Sequence, residues 1–370
     1  MNLDMNEVIN VTKTYLPDRE RLDRYIDRIY ESNWLTNNGP LVQELTSRLS
    51  EYLGVENLLL VSNGTLALQI AYRALGIKKQ AVTTPFSFVA TTSSLVWEGI
   101  EPVFADIDPK TFCLDPEEIK TAITQDTEAI LPVHVFGKAC DIDNIEKIAK
   151  ENDLKTIYDG AHAFGVKYKG KSIYSYGDAV TLSFHATKLF HTIEGGGIVF
   201  KEKEVCDRAR IMINFGITGP DSIASLGINA KMNEFQAAMG LAVLDEIENI
   251  FEGRERVWRQ YEENLKGKVQ LQERNPDSTN NFAYFPVLFP SEESLLKAKA
   301  NLNAKNIRPR RYFYPSLDSV PYIGSKKMEI SRDIACRIMC LPLYSNLPPS
   351  VMETISDLLT ETAKIGDVGL

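Results

Sequence analysis

Residues 155–200 read KTIYDGAHAFGVKYKGKSIYSYGDAVTLSFHATKLFHTIEGGGIVF. Three short apolar runs stand out in it. KTIYD ends on Asp159, AVTLSF is followed shortly by Lys188, and GIVF closes at Phe200. Each is rich in β-branched or aromatic residues and bounded by Gly, Asp or Ser, which predicts strands. Upstream the same pattern recurs as LLLVS (58–62), QAVTTP (80–85), EPVFAD (101–106) and AILPVHV (129–135). Helical stretches fall between most of these runs, at Thr65–Leu75, Phe88–Glu98 and Ile142–Glu151. Strand–helix alternation of this kind builds a mostly parallel sheet covered on both faces. Ligands in such sheets bind at the carboxyl ends of the strands.

Before this region, LVQELTSRLSEYL (41–53) is apolar at 41, 42, 45, 49 and 53, the stripe of an amphipathic helix. After it, a long helical stretch runs from Met232 to Leu265. The turn formers NPDSTNN (275–281) then lead to a strand (FAYFPVLF), a helix near Glu292–Lys305 and two late helices. A chain of 370 residues has room for two domains. We expect an N-terminal segment and large domain over 1–240, and a linking helix and small C-terminal α+β domain over 241–370.

Composition narrows the function classes. A net charge of −9 argues against broad nucleic-acid binding, which needs a basic surface. The N-terminus is polar and acidic without an apolar core segment, and no run approaches the roughly 18 apolar residues of a membrane span. A cytoplasmic protein without membrane contact is expected. The five cysteines are scattered, and Cys336 and Cys340 share helical spacing without a second pair to complete a zinc site. They read as small buried hydrophobes. All four histidines lie between 134 and 191, none at i, i+4, so no metal is expected. GVKYKGKS (165–172) satisfies the G-x-x-x-x-G-K-[ST] pattern. A phosphate loop needs a helix to follow, and IYSYGDAVTLSF reads instead as turn and strand, so a two-lysine surface hairpin is expected.

The Asp159 and Lys188 pair points to chemistry. Each lies at the end of a neighbouring strand, so one pocket can receive a carboxylate and an amine. A pyridoxal 5′-phosphate (PLP) enzyme needs both: an amine to form the Schiff base, and an acid to keep the pyridine nitrogen protonated. Strand-end Asp is common, however, and Lys188 reads equally well as a solvated loop lysine.

The surrounding residues add a resemblance. YDGAHAFG followed by SFHATKLFHTIEGGGIVF is similar to the signature of the DegT/StrS sugar aminotransferases, which are PLP enzymes of fold type I. SNGTLAL, TTPFSFVAT, DIDPKTFCLD, ILPVHVFG and GINAKMNEFQAAMGL follow in the same family order. The resemblance implies an aspartate aminotransferase-like α/β fold, a large mostly parallel-sheet domain with a small C-terminal domain. It implies Lys188 as the Schiff-base lysine and proton carrier, and Asp159 as partner of the pyridine nitrogen. It also implies His162 against the cofactor's phenolic oxygen and Phe88 stacked on its ring. Gly64, Thr65 and Ser183 would hold the phosphate, with Asn229 reaching it from the other subunit of a homodimer. The cofactor would alternate between PLP and pyridoxamine 5′-phosphate, with glutamate as amino donor and a nucleotide-linked keto sugar as acceptor.

Two positions depart from the family pattern. Lys231 stands where Arg is frequent, and Pro315-Ser316-Leu317 replaces Pro-Leu-His. With WLTNNGPLVQEL (34–45) and GINAKMNE (227–234), this is similar to the branch that aminates C4 of a dTDP-4-keto-6-deoxyhexose to give dTDP-4-amino-4,6-dideoxyglucose, a precursor for O-antigen and lipopolysaccharide. The Asn-rich loop Thr36–Gly39 would close the sugar pocket. Arg308, Arg310 and Arg311 would meet a diphosphate or form a solvated strand edge. The alternatives are a C3 aminotransferase, a sugar dehydratase and an idle regulatory protein on the same fold. The dehydratases carry His where Lys188 stands, and an idle protein would be expected to lose Asp159 or Lys188.

Overall fold

A computed structural model of the chain describes residues 8–324 and 326–366. The first seven residues of the N-terminal stretch read above lie outside it. The chain enters through β1 (Ile9–Asn10), α1 (Arg19–Ser32) and α2 (Pro40–Leu53). It then alternates through β2 (Leu58–Val61), α3 (Gly64–Leu75), β3 (Gln80–Thr83), α4 (Val89–Trp97), β4 (Glu101–Phe104), α5 (Pro116–Ala122), β5 (Thr127–Leu131), α6 (Ile142–Glu151) and β6 (Lys155–Asp159). A hairpin of β7 (Lys167–Tyr168) and β8 (Lys171–Ser172) precedes β9 (Ala179–Ser183), β10 (Gly196–Phe200) and α7 (Lys203–Met212).

Seven of these strands form one sheet in the order β2-β10-β9-β6-β5-β3-β4. Only β10 runs antiparallel to its neighbours. The side-chain period of two divides the strand residues between two cores. Leu58, Leu60, Val82, Ile130, Tyr158, Val180 and Val199 face one layer of helices. Leu59, Val61, Ala81, Ala129, Leu131, Ile157, Ala179 and Ile198 face the other. This is why the strands read as unbroken apolar runs: both faces are covered. The helices stop where their caps dictate. Asn63 and Asp141 accept from the third amide of α3 and α6, and Gly54 and Gly76 end α2 and α3 in the left-handed region at φ 65° and 80°.

The β7/β8 hairpin turns through Lys169 and Gly170, and a single short turn follows at Ile173–Ser175. With no helix there to present its amides, GVKYKGKS is the surface hairpin the sequence suggests.

Next come a second hairpin of β11 (Ile217–Gly219) and β12 (Ser222–Ile223), then α8 (Glu234–Leu244) and α9 (Ile247–Leu265). The stretch read as one helix from Met232 is thus two. The break falls at Asp245 and Glu246, whose carboxylates are bonded to partners far off in the chain. Asp245 accepts from Tyr25 Oη at 3.0 Å and Arg48 Nη2 at 2.8 Å, and Glu246 from Tyr15 Oη and, at 2.9 Å, the Asp18 amide.

The chain ends with β13 (Gln270–Leu271), β14 (Phe285–Leu288), α10 (Glu292–Ala304), β15 (Ile307–Arg308), α11 (Glu329–Arg337), β16 (Ile338–Leu341) and α12 (Pro349–Gly366). An antiparallel sheet β13-β14-β16 packs with α9, α10 and α12 around Tyr261, Phe285, Val287, Leu302, Met339 and Ile355. β1 pairs in parallel with β15, so Ile9 joins this core. The helical spacing of Cys336 and Cys340 misleads: Cys336 lies in α11, but Cys340 is in β16, drawn into the ladder with β14. All five cysteines are free thiols, and all but Cys336 are buried. No helix among the described residues is long and apolar enough to cross a membrane.

Candidate active site

The carboxyl ends of β2, β6 and β9 meet at a cavity of about 260 Å³. Gly64, Thr65, Phe88, Asp159, His162, Ser183 and Lys188 all line it. Seven of the eight residues singled out in the sequence therefore converge. Asn229 does not: it is exposed, bridged to Asn214, and is not among the residues lining this cavity.

Asp159 closes β6 and is 7% exposed. Its carboxylate accepts from Thr91 Oγ1 at 2.8 Å and from the Ala161 amide at 3.0 Å, one bond per oxygen. A carboxylate can accept more than two bonds, so lone pairs remain for a donor in the cavity. Lys188 sits in the turn after β9, with its amide bonded to His185 O at 2.8 Å. Its amine is surrounded by protein yet reaches the cavity. Burial pushes its pKa down to about 8, against the pull of Asp159 and the Tyr312 phenol.

His162 is buried, and burial, with Lys188 nearby, holds its pKa well below the ordinary value. The Phe136 amide donates to Nδ1 at 3.3 Å, which leaves the neutral ring's proton on Nε2. The ring lies parallel to Phe313 at 5.7 Å. The other histidines have local partners. His134 stacks on Tyr158 at 4.8 Å, His191 Nε2 meets Tyr15 O at 2.7 Å, and His185 lies 3.5 Å from Glu194.

One end of the cavity is built for an anion. Asn63 Oδ1 takes the Leu66 amide at 2.9 Å, while the Gly64 and Thr65 amides, the first two of α3, have no intrahelical partner. Helix N-termini with free amides favour phosphate. Ser183 faces them so closely that a Cβ on Gly64 would come within 3.0 Å of its Cβ. A PLP molecule fits these groups: amides and a hydroxyl for its phosphate, Asp159 for its ring nitrogen, His162 Nε2–H for its phenolic oxygen and Lys188 for its aldehyde carbon. Phe88, half exposed at the start of α4, supplies an apolar face in the same cavity.

Several lining residues carry no readable signal in the sequence. Tyr284, Tyr312 and Phe313 come from the C-terminal third, where aromatics read as core or turn. The arginine cluster separates. Arg310 lines the cavity with its guanidinium 4.6 Å above the Tyr312 ring, Arg311 turns to Glu292 at 2.6 Å, and Arg308 donates to Asn303 O at 2.7 Å. The loop Thr36–Gly39 does not line this cavity within its own chain. Glu234 accepts from the Leu41 and Val42 amides at 2.8 and 3.0 Å, anchoring the loop at the start of α8. There Asn37 and Asn38 line a separate cavity of about 170 Å³ with Lys231 and Asn214.

The chain is similar to known proteins along nearly its whole length. The model of the DegT/DnrJ/EryC1/StrS aminotransferase family matches residues 17–360. A dTDP-4-amino-4,6-dideoxy-D-glucose transaminase of Shigella dysenteriae is 41% identical over 96% of this chain and 100% of its own. A transaminase of the same name from Escherichia coli is 37% identical over 96% of this chain and 98% of its own. Among solved structures, DesI in the presence of its TDP-sugar product superposes with a TM-score of 0.90 at 33% identity, covering 97% of this chain and 93% of that one.

Proposed function

The chain belongs to the DegT/DnrJ/EryC1/StrS aminotransferase family, whose members work with PLP, and from that premise we propose its reaction. It moves an amino group from glutamate to the C4 keto carbon of a dTDP-4-keto-6-deoxyhexose, giving dTDP-4-amino-4,6-dideoxyglucose. The observation that carries the reaction type is the convergence of the Lys188 amine and the Asp159 carboxylate on one cavity. The names of the two transaminases similar to this chain support the sugar and the C4 position.

PLP, held by these residues, would supply the electron sink of the amino transfer. The chain's residues do the rest. Asp159, held by Thr91, keeps a proton on the ring nitrogen. The start of α3 and Ser183 fix the phosphate, so Lys188 Nζ stays at one distance from the reacting carbon. Its depressed pKa leaves part of the amine unprotonated near neutral pH, able to act as nucleophile and then to carry the proton between substrate and cofactor carbons. His162 Nε2–H holds the phenolic oxygen. Lys188 also counts against the dehydratase alternative.

We place residues 1–240 and 241–370 in separate domains; the apolar core around Phe285 and Tyr261, built from the second stretch with Ile9 added through β1, supports this. A homodimer with shared sites is the proposed assembly. Asn229 and the loop Thr36–Gly39 lie outside their own chain's cavity, and Ile223 and Leu226, shortly before Asn229 in the chain, are 75% and 73% exposed. A second copy covering this face would receive Asn229 at its phosphate and the loop over its sugar. The step belongs to cytoplasmic deoxyamino sugar synthesis for O-antigen or a similar polysaccharide.

Absorption spectra test the reaction type. Purified protein with PLP should absorb in the visible, lose that band on adding glutamate, and regain it on adding the keto sugar. A visible band that glutamate leaves untouched would sink the amino-donor reading.

A further inference from the structure

We propose that Tyr284 is the positioning residue that holds the Lys188 amine whenever that amine is free; the proposal rests on the aminotransferase reading above. During transamination the lysine amine spends part of each cycle without a covalent partner. It must then keep its place and direct a lone pair into the cavity. Nζ donates to Tyr284 Oη at 3.3 Å and lies 6.0 Å from the centre of that ring. An acceptor on this side turns one N–H away from the cavity and leaves the opposite side of the nitrogen for the reacting carbon.

The phenol is itself held firmly. Two side chains fix the backbone just before it. Asn281, fully buried, donates to His162 O at 2.8 Å and Phe164 O at 3.0 Å, and accepts from the Ala283 amide at 3.2 Å. Arg254, 6% exposed on α9, donates to Phe282 O at 3.1 Å and Ala283 O at 2.6 Å. The Tyr284 ring then leans on His162 at 4.7 Å and meets Tyr312 edge-on at 6.0 Å. Burial raises the phenol's pKa, so it stays neutral and acts as an acceptor rather than a base. The ring contacts need only a Phe. The hydroxyl is accounted for by Lys188.

Tyr284→Phe keeps the ring and removes the acceptor. An acceptor favours the ammonium form, so its loss should let Lys188 deprotonate at lower pH, by roughly half a unit to one unit. The misplaced amine should lower kcat about tenfold with little change in KM for glutamate. The readout independent of turnover is acetic anhydride labelling of Lys188 against pH in the pyridoxamine 5′-phosphate form, quantified by peptide mass spectrometry. Circular dichroism and PLP content establish that each variant is folded and loaded. Tyr312→Phe, which removes a phenol that pulls on Nζ from a distance without bonding to it, should shift the labelling midpoint less than Tyr284→Phe does. An unchanged midpoint and kcat in Tyr284→Phe, or an equal shift in Tyr312→Phe, would overturn the proposal. If wild-type Lys188 labels equally in the PLP and pyridoxamine forms, the aminotransferase reading fails instead.

Discussion

In the proposed reaction Lys188 carries more of the chemistry than any other side chain, and its surroundings set how it titrates. Burial holds its pKa at about 8, against 10.5 for an ordinary lysine. Capture of PLP by apoenzyme needs the free base, so its rate should climb as pH rises and level off above about 8. Lys188→Ala should abolish the borohydride-stable adduct. Covalent trapping at another lysine would show the assignment to be wrong. The same shift has a consequence for stability. Between pH 8 and 10.5 the unfolded chain still binds the proton that the folded chain has released, so the apoenzyme should gain stability as pH rises through this window, by up to about 3 kcal/mol. Urea titrations of wild-type and Lys188→Met apoenzyme should differ in this slope. For Asp159→Asn, which keeps the shape but cannot hold the ring-nitrogen proton by charge, kcat should fall by about 10²–10³. Asp159 and Lys188 are legible in the sequence because each ends or closely follows an apolar run, so their pocket follows from strand order. Tyr284 is not legible. It lies inside FAYFPVLF, where an aromatic reads as core, and only the fold of the C-terminal third against the Asp159–Phe164 loop brings it to Nζ.

At the scale of elements, the phosphate end depends on how closely β9, β10 and the start of α3 approach one another. A Cβ on Gly196 would lie 2.6–2.8 Å from the backbone of Asn63 and Gly64, which cannot yield as a side chain can. Gly196→Ala should therefore cost about 1–3 kcal/mol and displace the α3 amides. Gly64→Ala meets mainly the Ser183 side chain, so thermal melting should change less while PLP dissociates faster. Equal retention of PLP in both variants and wild type would argue against a phosphate at this helix end. The strands and most helices of the large sheet are legible because their apolar periods and caps agree. The break between α8 and α9 is not, since the side chains bonded to it, Tyr25, Arg48 and Tyr15, lie more than 190 residues away. Cys340 fails for a related reason: pairing with β14 overrides its helical spacing.

For the whole molecule, the proposed homodimer makes each site depend on two chains. A Lys188→Ala chain mixed with an Asn229→Ala chain should recover activity in the heterodimer, where one site has both its own lysine and the partner's asparagine. Sedimentation at micromolar concentration should give twice the chain mass of 41.6 kDa. A monomer with full activity would remove the shared-site reading. The sequence resemblance reaches this level only through Asn229 and the loop Thr36–Gly39, whose roles cannot be read from one chain. The most direct test of the proposed reaction is regiochemical. The enzyme, PLP and glutamate are incubated with dTDP-4-keto-6-deoxyglucose and, separately, with its 3-keto isomer, and the new amine is located by NMR. The expected product is dTDP-4-amino-4,6-dideoxyglucose from the 4-keto sugar alone. Turnover of only the 3-keto isomer would contradict the C4 assignment, and turnover of a free keto acid but no nucleotide sugar would contradict the substrate class.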